Sequence, residues 1–169
     1  MHRVRKSASA IVFLWTALCV TLLGTASASA QTDPDFVFDA GVACDFELGL
    51  DVLGAQQVMR EFVDKDGNLR WLAAGKGSVL TFTNLETEET LTVTTGGSVS
   101  HITDNGDGTV TIVGTGHNVL LLFPSDVPAG PSTTLTQGRI VFTYDPITGF
   151  TTVTEVKGKV TDICAALSD

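Results

Sequence analysis

Thr90-Leu91-Thr92-Val93-Thr94 alternates threonine with an aliphatic residue over five positions. In an extended chain successive side chains leave opposite faces, so this period of two sends Leu91 and Val93 into a core and the threonines into water. A helix would scatter the same residues around its axis. β-Branched threonine also suits the pleated outer face of a sheet. The alternation recurs at Thr81-Phe82-Thr83 and Thr109-Val110-Thr111-Ile112. Between such segments lie Asp66-Gly67-Asn68, Gly75-Lys76-Gly77, Gly96-Gly97, Asn105-Gly106-Asp107-Gly108, Gly114-Thr115-Gly116 and Pro146-Ile147-Thr148-Gly149. Gly, Asn, Asp and Pro supply the backbone conformations that tight turns need, and their close spacing predicts hairpins joined in chain order.

Strands are predicted over residues 44–52, 58–63, 69–73, 79–84, 91–94, 98–103, 109–113, 119–123, 139–144, 150–156 and 160–164. No long stretch carries a helical period, and residues 165–167 are expected to make no more than a turn. Residues 119–123 form a continuous apolar run, the pattern of a strand covered on both faces. Residues 124–134 hold Pro124, Pro128, Gly130 and Pro131 and read as a stiff surface crossing. Short strands in meander order must dispose of their edges, and closure does so completely. The expected fold is therefore all-β: a single antiparallel meander domain, curled or closed into a small barrel, with a two-sheet β-sandwich as the alternative.

Residues 1–30 read as a cleaved signal peptide. His2, Arg3, Arg5 and Lys6 form a basic start, an apolar run from Ala10 to Gly24 follows, and Ala28-Ser29-Ala30 presents small residues for cleavage. Thr16, Thr21 and Gly24 interrupt the run, whereas a retained anchor needs about 20 predominantly apolar residues. Arg3 and Arg5 are not adjacent, which disfavours twin-arginine export. Cys19 follows Leu18 rather than the small residue lipidation requires, and it leaves with the peptide. Residues 31–35 are expected to be a short mobile acidic lead-in, and residues 36–169 the β-domain, placed in a secreted protein.

The whole chain has 10 Lys and Arg against 19 Asp and Glu. Cleavage removes three basic side chains and no acid, leaving 139 residues with a formal charge of −12. So acidic a domain repels phosphate backbones and anionic head groups, which argues against nucleic-acid partners and membrane attachment. It favours a soluble monomer whose partner is an extracellular ligand or protein. The mature length suits one domain with one core. Its two thiols, Cys44 and Cys164, lie near the two ends, and in an oxidising compartment an even pair is most simply a bridge. Closing so long a loop stabilises the fold by about 4–5 kcal/mol in the chain-entropy account. A redox or metal thiol pair would call for C-x-x-C spacing or a neighbouring histidine, and neither is present.

Motifs for catalysis are sparse. Asp64-Lys65-Asp66-Gly67-Asn68 spaces oxygens like a calcium loop, but Leu69 and Gly75 stand where an EF-hand needs Gly and a bidentate Glu. Asp104-Asn105-Gly106-Asp107-Gly108 shares that shortage, so both read as hairpin turns, and Glu86, Glu88 and Glu89 read as a solvated acidic tip. No mature serine lies in G-x-S-x-G or S-x-x-K, and no H-E-x-x-H exists for zinc. No cofactor is implied. If Val99 faces inward, alternation carries His101 inward too; His117 follows Gly116 at an expected turn and is expected to be exposed. Trp71 alternates with Leu69 and Ala73 and is read as a core residue, a sugar-stacking platform being the sharper idea. Arg139 precedes the stripe Ile140, Phe142, Tyr144 and is expected to pair with an acid such as Glu61 or Asp126. Should a lumen exist, His101, Arg139 and Tyr144 are the side chains to line it.

Phe36-x-Phe38, Cys44-Asp45-Phe46, Phe62-x-Asp64-x-Asp66-Gly67-Asn68, Gly75-x-Gly77, Leu80-Thr81-x-Thr83-Asn84, Leu122-Phe123-Pro124-x-Asp126 and Asp162-Ile163-Cys164 together resemble small secreted actinomycete proteins of uncharacterised function. The likeness spans most of the chain after residue 30 and rests on turn, core and cysteine residues. It implies export, a β-fold and the bridge, and carries over no catalytic residue.

Three functional readings follow. The first is a non-enzymatic extracellular or envelope-associated domain, a binding module using rim loops or a small cavity. The second is a cofactor-free barrel enzyme with a luminal site. The third is a secreted protease inhibitor that inserts the 124–131 loop.

Overall fold

The computed structural model describes residues 33–168 apart from Asp64, Asp66 and Asn68. The expected signal peptide, residues 1–30, and three of the five positions of the calcium-like segment thus lie outside the described residues. The described chain runs β1 (Phe36–Phe38), β2 (Leu48–Val63), β3 (Leu69–Asn84), β4 (Thr90–Thr94), β5 (Val99–Asp104), β6 (Val110–Leu122), β7 (Ser132–Tyr144), β8 (Thr151–Asp162) and α1 (Ile163–Ala166). These strands form one antiparallel sheet of order β1-β2-β3-β5-β6-β7-β8, with β4 paired to β3 beside that path. The all-β meander expected from the threonine alternation is present.

Barrel closure is not. β1 and β8 are the two ends of the sheet. Its edges are dealt with locally instead of by closure. The three residues of β1 cover Leu48, Gly49 and Leu50 of β2. At the other end the loop after β6 lies against β8: Val127 N–H donates to the Thr151 carbonyl at 2.9 Å, and Val153 N–H donates to the Val127 carbonyl at 2.7 Å. Asp126, only 3% exposed, fixes that loop by accepting from Phe123 N–H at 2.7 Å and Thr151 N–H at 2.8 Å. The expected irregular stretch ends early, since β7 begins at Ser132.

Several expected turns lie inside strands. Residues 69–73 and 79–84 belong to one strand, β3, and residues 109–113 and 119–123 to another, β6, so Gly75-Lys76-Gly77 and Gly114-Thr115-Gly116 do not reverse the chain. Likewise 44–52 and 58–63 merge largely into β2, and 150–156 and 160–164 into β8. A glycine within a strand marks a bulge or a close approach of another backbone. Here it is both. The β2–β3 ladder shifts register around Gln56, opposite Gly75 and Gly77. The segment joining β4 to β5 then passes between Gly77 and Gly116. A Cβ on Gly77 would stand 2.5 Å from the Gly96 nitrogen, and one on Gly116 would collide with the Gly97 carbonyl oxygen. Thr95 holds the crossing, its N–H donating to the Ser78 carbonyl at 2.9 Å and its Oγ1 accepting from Ser78 N–H at 2.8 Å.

This crossing divides the sheet. Residues 79–83 of β3 pair with β4, whereas residues 70–74 pair with β5. The core lies on the first side, where Leu48, Leu50 and Phe82 pack with Ala43, Cys44, Phe46, Leu135, Ile163 and Leu167. Burying each large side chain contributes about 1.5–3 kcal/mol. Cys44 and Cys164 are disulfide-bonded, their Cα atoms 5.5 Å apart across 120 residues, so the chain before β2 is fastened to α1. Buried polar groups here are satisfied, as burial requires. Asn84 Nδ2 donates to the Leu167 carbonyl at 3.0 Å, and Thr133 Oγ1 donates to the Ala43 carbonyl at 3.0 Å. The expected C-terminal turn is the single helical turn α1, capped by Asp162 Oδ1 accepting from Ala165 N–H at 3.0 Å.

On the other side of the crossing, parts of β2, β3, β5, β6, β7 and β8 lie side by side. Directly opposed residues of an antiparallel ladder share a face. The row Glu61, Trp71, Ile102, Ile112, Phe142, Val153 marks one face, and the next row along, Arg60, Leu72, His101, Val113, Val141, Glu155, marks the other. The first is predominantly apolar. The second, the outer face, is mixed. No helix among the described residues is long and apolar enough to cross a membrane.

Candidate functional site: the outer face of the six-strand region

Alternation within each strand decides which chemistry reaches the outer face. On either side of the His101 row run Val58, Ala74, Val99, Thr115, Arg139, Lys157 and then Phe62, Arg70, Thr103, Thr111, Thr143, Thr152. Arg60, Arg70, Arg139 and Lys157 thus rise from one surface, four of the seven cationic side chains that follow residue 30. The three rows hold a single carboxylate, Glu155. Residues 31–169 hold seven Lys and Arg against 19 Asp and Glu, so this is a local inversion of sign. Clustered cations of a common sign are the kind of surface that can attract anions.

The groups are partly pre-arranged. Glu155 Oε1 accepts from Arg139 Nε at 2.8 Å, and its Oε2 lies 3.2 Å from Lys157 Nζ. Those two cations, Lys157 first, hold the Glu155 carboxyl below its usual range. One carboxylate shared by two cations leaves positive charge in excess. Arg70 Nη1 donates to Thr103 Oγ1 at 2.7 Å, at the head of a row of four threonines on four neighbouring strands. Their hydroxyls can donate or accept beside the cations.

The residues expected to line a lumen are separated. The sheet is open, so there is no barrel interior for them to share. His101 and Arg139 stand on the outer face, on strands that β6 separates, whereas Tyr144 opposes Val110 and Thr151 on the apolar side. His101 points outward together with Val99, because Ser100 and Ile102 take the inward positions of β5. Arg139 pairs with Glu155 instead of Glu61 or Asp126. Glu61 accepts from Trp71 Nε1 at 3.0 Å, and Asp126 is committed to Phe123 and Thr151. Trp71 is half-buried on the apolar side. His117 is no turn residue: it lies inside β6, half-buried, with Nδ1 3.1 Å from the Gly96 carbonyl.

The acidic turns serve the backbone. In Asp104–Thr109, Gly106 N–H donates to Asp104 Oδ1 at 2.8 Å and Thr109 N–H to Asp107 Oδ1 at 2.9 Å. The Thr109 hydroxyl, the largest influence, lowers the Asp107 pKa. Asn84 Oδ1 accepts from Glu86 N–H at 3.0 Å, shaping the β3–β4 turn that carries Glu88 and Glu89.

Three cavities adjoin these features. One of about 220 Å³ lies beside the disulfide, between Asp45, Ser132 and Asp162. A second of about 190 Å³ lies by the crossing, where Asn118 Nδ2 is buried without a hydrogen-bond partner among the described residues. The third, about 230 Å³, opens on the outer face between Val58, Arg60, Leu72 and Ala74. Sequence reasoning missed Arg60, Arg70 and Lys157 as a set. Their only signal is parity, because each falls on the outward positions of its strand once register is known. No protein-family model, curated protein or solved structure matches this chain, and its function is therefore read from this geometry.

Proposed function

We propose that the chain is an exported, non-catalytic binding domain that receives a small anionic ligand, or a discrete anionic group of an extracellular partner, on the outer face of its six-strand region. One observation carries the reading: Arg60, Arg70, Arg139 and Lys157 share that face with Glu155 as the only acid of its rows. Charge segregation of this kind within an acidic domain favours a compact anion, since a long polyanion would also meet the repelling remainder of the surface. The threonine row supplies neutral hydrogen-bonding groups that would orient such a ligand. The Cys44–Cys164 bridge fits an oxidising compartment and supports export.

Citrate is a suitable probe. Titrated at low ionic strength and followed by amide NMR, it is expected to shift resonances of Arg60, His101, Arg139, Lys157 and the intervening threonines. Shifts scattered over the acidic turns, or none at all, would contradict the proposal.

A further inference from the structure

We infer that the cavity at the β2 edge of this face is built for an apolar group that carries a carboxylate. The inference rests on the anion-binding reading above and names a ligand class within it. The floor comes from the register: Ala74 opposes Val58, and Leu72 opposes Arg60, so a small side chain lies between longer ones and leaves about 230 Å³ open. That is below the size of a pocket for a drug-sized ligand, which suits a short chain. Apart from Arg60 the lining is wholly aliphatic. Val58 is 62% exposed, a cost in water that an apolar ligand would relieve.

Arg60 sets the other half of the chemistry. Its strand position puts it at the cavity rim beside Leu72, and it makes no ion pair among the described residues, unlike Arg139. A guanidinium presents paired N–H donors that match the two oxygens of a carboxylate. An aliphatic tail lying on Val58, Leu72 and Ala74 would bring its carboxylate to that fork. Neither half suffices alone. Acetate lacks the tail and 1-octanol lacks the charge.

Octanoate, acetate and 1-octanol titrated separately into the disulfide-bonded protein test this by amide NMR. Octanoate is expected to bind saturably, with shifts centred on residues 58, 60, 72 and 74, and at least roughly tenfold more tightly than acetate or 1-octanol. Ala74→Leu should fill the cavity and abolish octanoate binding. Arg60→Gln should bring octanoate down to the affinity of 1-octanol. A retained native-like amide spectrum certifies the fold of each variant. Equal binding of octanoate and 1-octanol, octanoate shifts elsewhere, or indifference to Ala74→Leu would overturn the inference. If octanoate fails while citrate still maps to the outer face, only the cavity assignment falls. If both fail, the anion-binding reading falls with it.

Discussion

Gly116 of β6 faces the Gly97 carbonyl so closely that no side chain fits between them, and Gly77 of β3 meets Gly96 from the other side. The link from β4 to β5 runs through this gap, so the division of the sheet depends on two residues without Cβ atoms. Both also have positive φ, +78° at Gly77 and +86° at Gly116, which favours glycine independently. Gly77→Ala and Gly116→Ala are each expected to lower unfolding free energy by about 2 kcal/mol or more. Gly106→Ala, with comparable φ but open space around it, should cost about 1 kcal/mol. Denaturant midpoints of the three variants give the ranking. Equal losses would show that the crossing exerts no steric constraint.

That crossing also marks where sequence reasoning stopped. Threonine alternation at 81–83, 90–94 and 109–112 identifies strands because side-chain direction is local information. Whether Gly75-Lys76-Gly77 reverses the chain or merely bulges it is not local, since it depends on β2 pairing along the whole of β3. The distinction between open and closed sheets has the same origin, since it depends on whether the end strands β1 and β8 pair. An inward His101 requires an inward Val99, and a one-residue error in such a phase reverses the strand. The cysteine bridge is legible because only two thiols follow residue 30, which leaves one pairing.

The disulfide closes the core end of the molecule. Replacing Cys44 and Cys164 together by Ala should remove about 2–5 kcal/mol of stability. Hydrogen exchange should accelerate first at Ile163–Leu167, where α1 packs against the core, and least in the β6–β7 ladder. Unaltered stability would mean that the hydrogen bonds from Asn84 to Leu167 and from Thr133 to Ala43 hold this end unaided.

Asp126 fixes the loop against β8 through two backbone donors. Asp126→Ala leaves both N–H groups without their acceptor and should cost about 2–4 kcal/mol. The Val127 and Val153 amides should lose protection from exchange together. Full protection in the variant would show that the bridge to β8 stands without the carboxylate.

Glu155 offers a pH test of the outer face. Its pKa lies below the ordinary 4.5 because Lys157 and Arg139 favour the charged form. A depressed folded value means that the contribution to stability is present above the unfolded pKa and fades as pH falls through the lower folded one. Side-chain NMR should therefore find Glu155 titrating below the ordinary range. Lys157→Met should move it upward. A wild-type midpoint at the ordinary value would show that the two cations do not act on it in solution.

The most direct test of the central claim is citrate affinity in wild type and in the charge reversal Arg139→Glu with Lys157→Glu, compared at low and physiological ionic strength. Wild type should bind more weakly as salt is added, and the double variant should lose at least about tenfold at low salt. Equal affinity in the two proteins, with both folded, would contradict the assignment of anion recognition to this face.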